Sequence, residues 1–263
     1  MKENLIANQF ARMGARFKVA YQENRRLRDY TLDIRRDHRG EFFEMLVPKE
    51  LEPALEVCVM QTLVHDRHLL LLVKKPQSKD RFLCGHDERE WFVAAVPGGA
   101  SSVAQAREAL KPDEVRAAES RVRLKSTQRN RRHNRAFIRQ GEWFFVPADL
   151  SEAPGAILRN EPIRRGTGKA HMVAEVCRFG GEEVYVCGKY PNGVTAEEYH
   201  RLVESDRAAK KLGWRRMKRN AGVYARGTVR HPDHCTIVLR GWHRVLMNTE
   251  TQSRTMANVA FLD

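Results

Sequence analysis

Two short stretches of this 263-residue chain bring together residues able to hold a metal ion. His231-Pro232-Asp233-His234 and His65-Asp66-Arg67-His68 each set two imidazoles three positions apart around a turn, with an aspartate between them. Imidazole nitrogens bind divalent transition metals, and a carboxylate can complete such a set. His243 follows the second motif on the next strand and is a further candidate for the same site. A metal held by His231 and His234 would support a nuclease or phosphoester hydrolase that works through His231, Asp233, His234 and His243. Against this, turn histidines more often face solvent or bond their own turn. The chain also contains no Cys-x-x-Cys pair, a common mark of a zinc site. The sequence therefore assigns no cofactor, and hydrolysis stands as the alternative function.

Other reactive groupings are weaker. Cys84 and His86 place a thiol and an imidazole two positions apart, the raw material of a nucleophile, but no third partner can be assigned. Gly166-Thr167-Gly168-Lys169 matches only the end of a phosphate-binding loop and lacks the earlier glycine spacing.

The strongest signal is charge. Arg121, Arg123, Lys125, Arg129, Arg131, Arg132, Arg135 and Arg139 lie in a stretch without a single acid, interleaved with Asn130, His133 and Asn134. A second acid-free stretch, 207–219, carries Arg207, Lys210, Lys211, Arg215, Arg216, Lys218 and Arg219. The net charge is +14, so these two clusters account for all of the excess and the remaining chain is close to neutral. Focused positive charge is the footprint of a polyanion binder, whereas solubility alone needs no such segregation. Phe137, Trp143, Trp214 and Tyr224 lie near the clusters, where they would either stack on unpaired bases or pack in the core. No helix-turn-helix, zinc-finger or basic-zipper pattern is present, which favours RNA over duplex DNA. The expected function is nucleic-acid binding, with RNA preferred, as a component of a ribonucleoprotein assembly that includes other protein subunits. A third reading is a basic module that docks an acidic protein.

The elements that must position these residues read as α+β, with antiparallel sheets and helices packed on them. The spacing predicts a helix over 2–13, strands near 30–34 and 42–47, a hairpin of 54–63 with 68–75, and short strands at 81–84 and 91–96. Helices are expected at about 102–110 and 113–125, interrupted by Pro112, followed by a strand at 142–146. Residues 147–168 read as a loop and 169–178 as a helix, followed by a strand at 183–187. Thr195 with Glu198 marks a capped helix start. Strands at 222–230, 235–240 and 242–247, with a last one at 256–262, complete the pattern. The loop at 147–168 suggests two domains, a β-rich 1–150 and an α+β 151–263, although one domain is also compatible. Each half has a Cys-Gly strand end, a helical stretch, a basic cluster and an Asn-led strand, so the halves are expected to be similar. Five cysteines, an odd number set mostly in apolar runs, suit a reducing cytoplasm. No long apolar run is present, so neither a signal peptide nor a membrane partner is expected.

Overall fold

A computed structural model describes residues 3–22, 29–153, 155–165 and 168–250, and the expected strand at 256–262 lies outside them. The fold is α+β with mostly antiparallel sheets, and the chain forms two compact units that divide between Arg131 and Arg132. The division falls ahead of the loop at 147–168. The reason is that the apolar run after the basic ribbon, including Trp143 and Phe145, packs into the core of the second unit.

The first unit opens with α1 (Glu3–Arg12), whose Ile6 and Phe10 are buried. Phe10 stacks on Phe17 at 4.7 Å and leans on Phe43 at 4.9 Å. Phe17 begins β1 (Phe17–Gln22), which runs parallel to β3 (Gly40–Pro48); β2 (Thr31–Asp37) pairs antiparallel on the other side of β3. A four-stranded meander follows: β4 (Glu56–Leu63), β5 (His68–Lys75), β6 (Ser78–Asp87) and β7 (Glu90–Ala95). The unbroken apolar run in β5 reflects burial on both faces. Leu69, Leu71 and Val73 join the core beneath α1, while Leu70 joins Leu83, Ala94, Val103 and Ala106 on the opposite face. Val103 and Ala106 belong to α2 (Val103–Ala109), capped by the Ser102 hydroxyl, which accepts from the Gln105 amide at 3.2 Å. Pro112 separates it from α3 (Asp113–Arg121), and a single turn, α4 (Ser126–Arg129), follows. Residues 248–250 belong to this unit: the Thr249 amide donates to the Leu110 carbonyl at 3.1 Å.

The second unit contains a six-stranded antiparallel sheet and a smaller three-stranded one. In chain order its elements are β8 (Ile138–Gln140), β9 (Trp143–Pro147), β10 (Ile157–Ile163), β11 (His171–Phe179), β12 (Glu182–Cys187), β13 (Tyr190–Thr195), α5 (Ala196–Ser205), β14 (Arg215–Arg219), β15 (Gly222–His231) and β16 (His234–Met247). The large sheet is ordered β10-β11-β15-β16-β9-β8 and the small one β13-β12-β14. Thr195 caps α5 as its spacing implies, its hydroxyl accepting from the Glu198 amide at 3.3 Å. The large sheet curls on itself. β9 pairs with the far half of β16, yet the Gln140 amide beside it donates to the Cys235 carbonyl at the near end, at 2.7 Å. Gly227 and Gly241, both at positive φ, and the register shift after Ala225 supply the bend.

Three expectations differ from this architecture. Residues 171–179 form a strand where a helix was expected, and β10 lies in the expected loop. The units do not repeat one order of elements. Cys84-Gly85 lies inside β6, whereas Cys187 ends β12, and Asn134 precedes a three-residue strand while Asn220 precedes a ten-residue one. No helix among the described residues is long and apolar enough to cross a membrane.

Candidate functional site

The β15–β16 hairpin closes on a two-residue turn, Pro232-Asp233, with His231 and His234 as its last facing pair. On the other side of β15, Met172 pairs with Arg230, which sets His171 beside His231. Residues directly opposite on paired strands share a face. Three imidazoles therefore line up across three adjacent strands at one end of the sheet. The rings of His171 and His231 stack at 4.1 Å and 22°, and those of His231 and His234 at 4.6 Å and 24°. One nitrogen from each of the three lies within 4.8 Å of the others.

His171 is 1% exposed, and neither ring nitrogen has a hydrogen-bond partner among the described residues. Burial, reinforced by the neighbouring His231 and His234, pushes its pKa down to about 3, so the ring is neutral at physiological pH. Burial and His234 likewise lower His231. Asp233 stands just outside the three rings. Its amide donates to His231 Nδ1 at 3.2 Å, its carboxylate lies 3.8 Å from the same nitrogen, and Lys169 holds that carboxylate at 2.7 Å.

The fourth side of the cluster is the β8–β9 turn. Gln140 pairs with Trp143 across Gly141-Glu142, and Gly141 takes φ +58° as the first central residue of a tight hairpin. A Cβ on Gly141 would lie 2.8 Å from His234 Nε2 and 3.4 Å from His171 Nε2. Glycine is thus the residue that leaves the space between these rings and the turn open. Trp143 sits edge-on to His171 at 6.4 Å, and among the described residues its buried indole nitrogen also has no hydrogen-bond partner, nor does Gln140 Oε1.

His243 does not join the cluster. It pairs with Ala225, six positions along β15 from His231, and its Nδ1 lies 3.0 Å from the Gly241 carbonyl. The other histidine motif is structural: His68 Nδ1 lies 2.5 Å from the Asp66 carbonyl, Asp66 holds Arg107 at 3.0 Å, and Arg67 covers Trp91. Cys84 is fully buried and burial raises its pKa, so its thiol is not an available nucleophile.

The basic residues divide between the units. Arg121, Arg123 and Lys125 are exposed around the end of α3, and Arg129 ends α4. Arg132, His133, Arg135 and Arg139 lie on the hairpin that leads into β8, where the Arg139 amide bonds the Arg132 carbonyl and His133 bridges Ile138. Arg131 and His133 are exposed, and Arg132 and Arg139 partly covered. The second cluster forms a turn and the edge strand β14. Two of its arginines meet acids that are distant in sequence: Arg216 pairs with Glu183 and Arg219 with Glu182 at 2.5 Å. Among the described residues, exposed Lys210, Lys211, Arg215 and Lys218 make no ion pair.

The nearby aromatics are engaged inside the protein. Phe137 packs on Phe144, Trp143 is buried, and Tyr224 stacks on Phe179 at 4.7 Å. Trp214 stacks on Tyr190 at 5.4 Å and donates its indole N–H to the Ala209 carbonyl. Compared with protein-family models, with curated proteins and with solved structures, the chain matches none.

Proposed function

We propose that the protein binds nucleic acid through the phosphate backbone, RNA before DNA, as one component of a larger ribonucleoprotein assembly. The observation that supports this most directly is the exposed set Lys210, Lys211, Arg215 and Lys218, cations without an acidic partner among the described residues, on a turn and an edge strand. Arg121, Arg123 and Lys125 offer a second exposed set. Such cations gain most from a polyanion, because neutralising phosphates releases condensed counterions. The basic residues are spread over helix ends, turns and an edge strand, not along one long helix, which suits a surface that tracks a backbone better than a helix that reads a major groove. The neighbouring aromatics are occupied, so affinity rests on charge and varies little with base sequence.

The test is fluorescence anisotropy with structured RNA, single-stranded RNA and duplex DNA of matched length, across a salt series. The expected result is tighter RNA binding with a steep salt dependence. Lys210→Glu with Lys211→Glu lowers the slope of log K against log salt by roughly 0.7–0.9 for each phosphate that the variant no longer neutralises. Unchanged affinity and slope would remove this surface from the interface. The products are also run on a gel with zinc or with EDTA. Intact RNA agrees with a binder, whereas metal-dependent cleavage transfers the function to the hydrolase alternative.

A further inference from the structure

We propose that His171, His231 and His234 hold one divalent transition-metal ion of the zinc class, leaving a fourth position for water or an anionic oxygen. The inference does not depend on nucleic-acid binding, and it adds His171, from a strand sixty positions away, to the turn pair.

Four observations carry it. The first is the chemistry of the donors. Three imidazoles with no carboxylate among them suit zinc and its neighbours, and fit neither magnesium nor calcium, which take oxygen ligands. The second is spacing. Imidazole nitrogens about 2.0–2.1 Å from a tetrahedral ion stand roughly 3.3 Å apart. The observed set lies within 4.8 Å, so modest ring rotations would close it around an ion.

The third is the state of His171. A buried imidazole ordinarily spends both nitrogens on hydrogen bonds, yet both of these lack a partner among the described residues. A metal ion is a partner that such a buried, unbonded nitrogen can hold together with the two imidazoles beside it. The fourth is the surrounding shell. Asp233, anchored by Lys169, places a carboxylate 3.8 Å from the His231 ring, a negative charge beside the three donors that favours a bound cation. Gly141 keeps side-chain atoms out of the space beside the Nε2 atoms of His171 and His234. Three protein ligands are the count of a zinc site that keeps an open position, whereas closed structural sites use four. Gln140 Oε1 and the Trp143 indole, both buried near the cluster, are suited to bond what occupies that position.

The experiment uses the full chain, stripped with EDTA and dialysed. Zinc is titrated by calorimetry and cobalt by visible absorption, with circular dichroism as the check on folding. One ion per chain is expected, with an intense cobalt spectrum of tetrahedral type. His171→Ala and His234→Ala are each expected to weaken binding by more than the roughly 10–100-fold that loss of an outer partner costs, and His243→Ala is expected to bind like the parent. If one variant misfolds, the other decides. No stoichiometric uptake by the parent overturns the proposal. So does uptake that survives both substitutions, or uptake lost only with His243.

Discussion

His171 and His231 come from strands separated by half of the second unit's sequence, yet their rings stack at 4.1 Å and are nearly parallel. The contact joins β11 to the end of β15, and His234 carries it on to β16. An ion bound there would tie three strands at one end of the sheet. A ligand that binds only the folded state stabilises it by mass action, by about 2.7 kcal/mol at a free concentration one hundred times its Kd. Zinc is therefore expected to slow hydrogen exchange in β11, β15 and β16 by roughly a hundredfold under those conditions. His171→Ala should remove the zinc effect while leaving exchange in β4–β7 of the first unit unchanged.

Gly141 offers a separate test of the same geometry. Gly141→Ala forces a Cβ to 2.8 Å from His234 Nε2 at a backbone φ of +58°. Alanine at positive φ costs on the order of 1 kcal/mol from backbone strain alone. Gly213→Ala is the control, because Gly213 has φ +62° with nothing within 4 Å of its added carbon. In thermal melts without metal, Gly141→Ala should lose at least as much stability as Gly213→Ala, because the His234 ring must also give way. Only Gly141→Ala should also lose affinity for zinc.

The contrast between His234 and His171 shows what the sequence made legible. His231 and His234 were visible because a two-residue turn between alternating strands is a local pattern, and β15 and β16 flank it as expected. The hairpin of β4 and β5 was legible because a short polar turn, residues 64–67, separates two apolar runs. His171 was hidden by a β-bulge. The register shifts between Val173 and Glu175, so the buried residues fall at 171, 173, 176 and 177, a spacing that resembles a helix face. Ala, Met and Glu in that stretch add helix propensity, and pairing with β10 and β15 overrides it. β13 was missed because Pro191, Asn192 and Gly193 read as turn residues, and Pro191 is tolerated on this edge strand. The neutralisation of Arg216 and Arg219 was illegible because Glu182 and Glu183 meet them only through the pairing of β12 with β14.

Acid should act on the first unit through Asp37. Its carboxylate accepts from Arg16 at 2.7 and 3.0 Å, from Lys18 at 2.9 Å and from the Arg39 amide at 2.9 Å. The Arg16 bonds first, then Lys18, hold its pKa well below the usual carboxylate range. In the unfolded chain the group titrates near 3.9. Below about that pH the unfolded state takes up a proton that the folded state resists, so the stabilisation is present above pH 4 and declines as the pH falls further. Urea denaturation across a pH series should show Asp37→Asn less stable at neutral pH, with the difference from the parent shrinking in acid. A difference that stays constant to the lowest pH at which the protein folds would contradict the assignment.

The turn that begins the basic ribbon hangs on a buried lysine. Lys111 Nζ lies 2.7 Å from Glu119 and 2.6 Å from Glu108, and it donates to the Arg129 carbonyl at 3.0 Å, with the Lys111 and Glu119 side chains 3% and 1% exposed. One ammonium group thus ties α2, α3 and α4 together. Removing it leaves the Glu119 carboxylate buried without this cation, and breaking a buried pair in this way costs about 3–5 kcal/mol. Replacing both partners with apolar residues of similar volume costs far less, because no uncompensated charge remains. Lys111→Met should therefore destabilise the first unit strongly, and adding Glu119→Leu should recover most of the loss in urea denaturation. The double variant still lacks the bond to Arg129, so hydrogen exchange at residues 126–129 should stay faster than in the parent. If nucleic-acid binding uses Arg121, Arg123 and Lys125, affinity should then fall in the double variant despite its recovered stability. Equal affinity would show that those cations act without a fixed turn behind them.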